Sequence, residues 1–158
     1  MTVRAASIKS FFENPVFLSA VTSWFTAQLM KAVVILLRSR YRKPREILAI
    51  IIWRTGGMPS SHAALVVSMA AAVAFAEGIN SNLFVVSVFF ALVVMRDAMG
   101  VRRSSGLQGR VLNSLGRQTA EKLGIEFHPI KEVLGHAPLE VVVGGLFGFF
   151  IAAAFALL

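Results

Sequence analysis

Four long apolar stretches, separated by polar and basic segments, set the pattern of this chain. The first runs from Pro15 to Leu37, the third from Leu83 to Val101 and the fourth from Pro138 to Leu158. Each is close to the roughly 20 residues that a helix needs to cross a bilayer. The second, Ser60 to Ala76, sits at the short limit of that range. Pro15 and Pro138 suit a first helical turn, where a missing N–H costs nothing. Glu77-Gly78 stops the second stretch, and Asn80-Ser81-Asn82 makes a tight connection to the third. Gly144, Gly145 and Gly148 supply the fourth with small residues that let helices approach closely in lipid.

Two further segments are weaker. Residues Ile47 to Trp53 are apolar but too short to span, and read as a re-entrant or interfacial piece leading to a glycine turn. Leu107, Val111, Leu112 and Leu115 recur at helical spacing, with Arg110, Arg117 and Lys122 between or beyond them. This pattern predicts an amphipathic helix lying on the membrane, or equally a packed cytoplasmic helix. The expected fold class is all-α. It is a polytopic integral membrane helix bundle of about four spans, one re-entrant or interfacial piece and one amphipathic helix, forming a single domain over residues 1–158.

Composition agrees with this pattern. Of 158 residues, 56% are hydrophobic and only 15% charged, against the roughly 25% of soluble domains. Mean hydropathy is +0.72. The absence of cysteine removes disulfides and thiolate chemistry. Lys and Arg number 16 against 8 Asp and Glu, a net charge of +8. The charge lies between apolar spans and forms no aromatic-interleaved patch, so nucleic acid is not the expected partner. The N-terminus does not read as a cleavable signal, because Glu13-Asn14-Pro15 interrupts it before the apolar run. Arg38, Arg40, Arg42, Lys43 and Arg45 follow the first span, and Arg102, Arg103, Arg110, Arg117, Lys122 and Lys131 follow the third. The positive-inside rule places both basic loops in the cytoplasm.

The candidate chemistry begins at Gly56-Gly57-Met58-Pro59-Ser60-Ser61-His62, where glycines end and an apolar helix starts. Unpaired N–H groups and the positive dipole end of a helix favour an anion there. An imidazole beside them can deliver a proton near neutral pH. An ordinary serine N-cap next to a surface histidine would look the same. With four spans, the other unusual polar residues meet this one on a single membrane face. Lys31 is near the end of span one, Arg54 lies before span two, Asp97, Arg102 and Arg103 close span three, and His136 and Glu140 open span four. Ionisable groups in or near spans are costly and mark functional sites. His136 and Glu140, four apart, share a face if the helix has begun, and a carboxylate beside an imidazole fixes its tautomer. Asp97 needs a partner, for which Arg96, Arg102 and Lys31 are available. Lys31 also reads as a snorkelling lysine, with Gln28 one turn earlier on a similar face. The spacing of the histidines and carboxylates matches no metal motif.

Pro59-Ser60-Ser61-His62 resembles the central P-S-G-H motif of the type 2 phosphatidic acid phosphatase and vanadium haloperoxidase superfamily. His136 and Glu140 resemble its third motif, a nucleophilic histidine followed four residues later by an aspartate. The blocks from Arg54 to His62, Asp97 to Arg103 and Leu134 to Val141 together resemble the divergent bacterial and plastid branch. The departures are specific. The superfamily's lysine lies six residues before an Arg-Pro pair, whereas Lys31 and Arg54 are 23 apart and Thr55 replaces the proline. Arg103 and His136 are 33 apart instead of close together. Glu140 replaces aspartate, Ser61 replaces glycine, and four spans replace the usual six, so that a homodimer is one way to complete the core.

The resemblance implies cofactor-free and metal-free hydrolysis of a phosphate monoester or diphosphate on a lipid in the bacterial inner membrane. Phosphatidate, phosphatidylglycerol phosphate and polyprenyl phosphates all fit. It implies that His136 is the nucleophile, Glu140 its orienting carboxylate and His62 the general acid. Lys31, Arg54, Ser60, Ser61 and one or both of Arg102 and Arg103 would hold the phosphoryl oxygens, with Asp97 and Gly57 in support. The rival classes are a non-catalytic protein that binds anionic lipid or phosphate, and a small transporter.

Overall fold

The chain forms helices wherever its apolar stretches are bounded by local stop and start signals. The computed structural model describes residues 8–38, 57–130, 132 and 135–158, and among these there is no strand. The elements are α1 (Pro15–Arg38), α2 (Ser61–Glu77), α3 (Asn82–Met99), α4 (Val101–Leu123) and α5 (Pro138–Leu157). Side-chain caps start three of them. Asn14 Oδ1 accepts from the Val16 N–H at 2.8 Å, Ser60 Oγ from Ala63 at 3.4 Å and Ser81 Oγ from Phe84 at 3.1 Å. Each cap satisfies an N–H group that the helix itself leaves unpaired. Gly78, at φ 86°, ends α2 in a backbone conformation that few other residues tolerate.

The protein is an all-α membrane helix bundle. α1, α3 and α5 are each long and apolar enough to cross a membrane, and α2 is a shorter apolar helix of 17 residues. α2 is the central one, packed against α1, α3 and α5. The interior is built from small side chains: Ala27, Ala63, Ala64, Ala71, Ala72 and Ala152 are all buried. Large apolar side chains such as Phe89, Val93 and Phe150 point outward. Lipid tails solvate these as well as a protein core would, so close backbone approach becomes the main source of cohesion. The glycine face of α5 provides it. A Cβ at Gly144 would run into the Ser60 carbonyl oxygen, and one at Gly148 into that of Ala64.

The span boundaries agree with the hydropathy pattern except at the end of the third, which stops at Met99 and not at Val101. Gly100 (φ −99°, ψ −83°) breaks the helical geometry there, and α4 begins at the next residue. After α4 the chain reverses at Gly124 (φ 65°) and runs back along the helix without regular structure. Asn113 holds this return segment at both ends of its amide: Nδ2 donates to the Ile130 carbonyl and Oδ1 accepts from the Ile130 N–H, both at 2.9 Å. Gly116 lies against Phe127, and Gly135 against the backbone of Arg103. The apolar piece 47–53 lies outside the described residues.

This packing makes the glycines of α5 unequal. Gly145 has only ordinary room, with Val67 Cγ2 3.4 Å from an added Cβ. Gly148→Ala is expected to destabilise the detergent-solubilised protein by about 1–3 kcal/mol through overpacking, and Gly145→Ala by much less. Thermal unfolding followed by size-exclusion recovery measures both. Equal melting of Gly148→Ala and wild type would contradict the close contact.

Candidate active site

The site is assembled at the end of the bundle where α1 and α3 finish and α2 and α5 begin. Three cross-links draw these ends together. Lys31 Nζ in α1 donates to Ser61 Oγ, the first residue of α2, at 3.1 Å. The Ser60 N–H donates to the Glu140 carbonyl of α5 at 2.9 Å. The His136 N–H donates to the Ala98 carbonyl, near the end of α3, at 3.0 Å. The last two are backbone bonds, so they fix the path of the chain rather than a rotamer.

Lys31 is 3% exposed and does not snorkel to the surface. Ser60 and Ser61 are buried beside it. Ser60 Oγ is engaged as the cap of α2, which leaves Ser61 as the residue that meets the lysine. His62 follows on α2 and is half-buried. Its ring centroid lies 6.2 Å from that of His136, with 63° between the ring planes. Met58-Pro59, ahead of the cap, is a cis peptide. Gly57 is exposed at φ 87°, with open space where a Cβ would be, so its backbone conformation is what requires glycine.

His136 is 2% exposed, and its Nδ1 lies 2.8 Å from Glu140 Oε2. This pairing does not come from two residues sharing a helical face, because His136 precedes the first helical residue, Pro138. It comes from capping. Glu140 is the third residue of α5, and its carboxylate reaches back to accept from the Ala137 N–H at 3.2 Å and to meet the imidazole. Ala137 has no side-chain acceptor, so only the glutamate half of a capping box is made. An ionised carboxylate can only accept, so the geometry places the proton on Nδ1 and leaves the lone pair on Nε2.

Asp97 and Arg102 form an ion pair, Nε to Oδ2, at 2.7 Å. Both are about 40% exposed (43% and 41%), so the pair contributes orientation more than stability. The charge of Arg102 reaches both histidines. The side chain of Arg103 is exposed, and its contact with the third block is through its backbone, at Gly135. Arg54 lies outside the described residues. Burial is the main influence on the His136 imidazole, and it pushes the pKa below the usual histidine value. The bond to Glu140 opposes this, while the positive charges of Lys31 and Arg102 add to it.

The structure adds groups that the motifs did not indicate. The carbonyls of Ala98 and Glu140 align the blocks through the main chain. Ser19 and Ser23 are fully buried on the face of α1 that carries Ala27 and Lys31, a four-residue repeat visible in the sequence. Ser23 Oγ, Gln28 Oε1 and Ser68 Oγ are buried without a hydrogen-bond partner among the described residues.

Comparison with known proteins gives two findings. The divergent PAP2 family matches residues 12–151. The chain is also 36% identical over 152 residues to a protein of Bacillus subtilis (strain 168) named uncharacterized membrane protein YuiD, covering 88% of this chain and 92% of that relative. No solved structure matches.

The tautomer and burial of His136 can be read directly. Histidine-selective NMR in detergent is expected to show His136 titrating below the ordinary value of about 6.5. Glu140→Gln removes an acceptor that favours the imidazolium, so it should lower the midpoint further. A midpoint above the ordinary value, or an upward move in the variant, would contradict this reading.

Proposed function

Because the chain belongs to the divergent PAP2 family, we propose that this integral membrane protein is a metal-independent lipid phosphatase working through a phosphohistidine. The observation that carries the reading is the pair of imidazoles at 6.2 Å, one of them backed by Glu140 at 2.8 Å. Nε2 of His136 attacks phosphorus as the bond to the leaving oxygen breaks, and His62 gives that oxygen its proton. Glu140 balances the charge on the phosphorylated imidazole. In the second step His62 takes a proton from water, the water oxygen bonds to phosphorus, and the P–N bond breaks to release phosphate and neutral His136. Lys31, with Ser61, and Arg102, with Asp97 behind it, hold the phosphoryl oxygens, where fixed positive groups favour the transition state. Ser60 shapes the helix start, and Gly57 the turn that enters it. Arg54 and Arg103 are retained as candidate phosphate ligands on the motif alone.

The substrate is a phosphate monoester or diphosphate carried by a lipid, of the phosphatidate, phosphatidylglycerol phosphate or polyprenyl phosphate class. A site formed where spans meet basic loops suits a headgroup held at the bilayer surface. The positive charge of the loops supports a surface on the cytoplasmic side of a bacterial inner membrane.

Purified protein, incubated in EDTA with a panel of these lipids, is expected to release phosphate. His136→Ala should reduce release by about 10³-fold or more, and His62→Ala by about 10²–10⁴-fold. Retained lipid binding with no release from any substrate would reject the enzyme in favour of a binding protein. Flux into proteoliposomes without release would favour a transporter.

The orientation is tested separately. A single cysteine at Arg42, in this cysteine-free chain, should resist an impermeant thiol reagent in intact cells and react after lysis. Labelling in intact cells would turn the site outward.

A further inference from the structure

α4 carries an apolar face that nothing among the described residues covers. Leu107, Val111, Leu112 and Leu115 are 54%, 58%, 56% and 55% exposed. At about 100° per residue they fall within an arc of about 140°. The opposite arc, with Gly106, Gly109, Asn113 and Ala120, is buried. The return segment lies on that side, with Glu132 against Gly109 and Ile130 bonded to Asn113. The helix is thus already packed on one side and bare on the other.

We propose that α4 lies in the interface of the membrane with this bare face in the lipid, and that the partner it recognises is an anionic lipid surface. Three observations select that occupant. First, α4 starts one residue after α3 ends, so its first turn is at the bilayer surface. Gly100 closes α3, its N–H donating to the Arg96 carbonyl at 2.8 Å, and opens α4, its carbonyl accepting from the Ser104 N–H at 2.9 Å, so no linker separates the two helices. Second, the charge is complementary. Arg102, Arg103, Arg110, Arg117 and Lys122 stand against one acid, Glu121, within Val101–Leu123, and although Asp97 pairs with Arg102 and Glu132 with Arg110, the balance stays positive. Arg110 and Arg117 lie about 60° and 80° round the helix from Leu107, on the flank where long basic side chains reach headgroups. Third, polar residues outnumber apolar ones along α4 as a whole, while its apolar residues are segregated to one side. This distinguishes a helix lying in the interface from one that spans.

The arrangement has a consequence for the site. The return segment rides on the other face of α4 and leads to Gly135, packed on Arg103, and so to His136. Docking of α4 therefore sets the height of the segment that carries His136 relative to the headgroups. The inference stands on the α4 geometry and does not require that the protein be a phosphatase.

The test uses full-length protein in nanodiscs containing anionic lipid, loaded at one copy per disc. Single cysteines are introduced as Val111→Cys and Leu115→Cys on the bare face, and as Glu126→Cys on the exposed return segment. Each is labelled with the environment-sensitive fluorophore NBD. The Val111 and Leu115 labels are expected to emit blue-shifted light relative to the Glu126 label. They should lose fluorescence when shallow doxyl-lipids are included, and replacing anionic by zwitterionic lipid should reduce both effects. Emission and quenching equal to those at Glu126 would overturn the proposal. So would protection that appears only when two copies share a disc, because the face would then meet a second chain.

Discussion

The start of α2 is pressed against the glycine face of α5, and the rest of the site depends on that contact. Gly144 and Gly148 let the backbone of Ser60 and Ala64 approach to where any side chain would collide. The same approach allows the Ser60 N–H to reach the Glu140 carbonyl. Ser60 is fully buried, so this main-chain hydrogen bond is shielded from water and holds register firmly. Once Ser60 is fixed to Glu140, the helix start that presents Ser61 and His62 is fixed to the turn that presents His136. Two blocks joined by residues 80 positions apart thereby become one unit, to which α1 adds Lys31 and α3 adds Ala98.

Burying charge at such a place requires compensation. Lys31 is nearly enclosed, and its ammonium finds Ser61 and the field of Glu140. Glu140 also receives the Ala137 N–H and the His136 imidazole. One carboxylate thus answers an imidazole, a backbone donor at a helix start and, at longer range, a lysine. Arg102 is treated differently. It sits half-exposed with its own acid, Asp97, and needs no help from the interior. The site combines a buried positive group that is held tightly with a peripheral one that retains access to solvent. An anion entering between them would replace hydration with fixed donors, the arrangement in which electrostatic preorganisation is most effective.

Much of this was legible in the sequence because its signals are local. Hydropathy marked the spans, Pro15 and Pro138 their starts, Gly78 a stop and Ser60 a cap. The convergence of the polar span ends followed from counting crossings. What was not legible depends on rotation and tertiary approach. Arg102 and Arg103 are neighbours in sequence, and only the rotation of about 100° per residue decides which one faces the histidines. The pairing of His136 with Glu140 was anticipated from spacing, but its cause is the helix cap and not a shared helical face. Ser23 and Ser68 are inconspicuous among apolar neighbours, and their burial emerges only when α1 and α2 are packed. The break at Gly100 falls one residue before the apolar stretch ends at Val101, so hydropathy alone sets the boundary too late.

The 32 residues between Arg103 and His136 depart from the close spacing of the superfamily's blocks. The fold removes the difficulty. α4 leads outward, Gly124 reverses the chain, and Asn113 and Gly116 hold the return segment against the helix until Gly135 meets the backbone of Arg103. The excursion leaves and re-enters the bundle at one point. Its length is therefore unconstrained by the site, provided α4 and the return segment stay paired. That pairing needs a residue without bulk at Gly116, where an added Cβ would run into the Phe127 ring. The cost of glycine inside a helix is offset there by the order it allows in the segment that leads to His136.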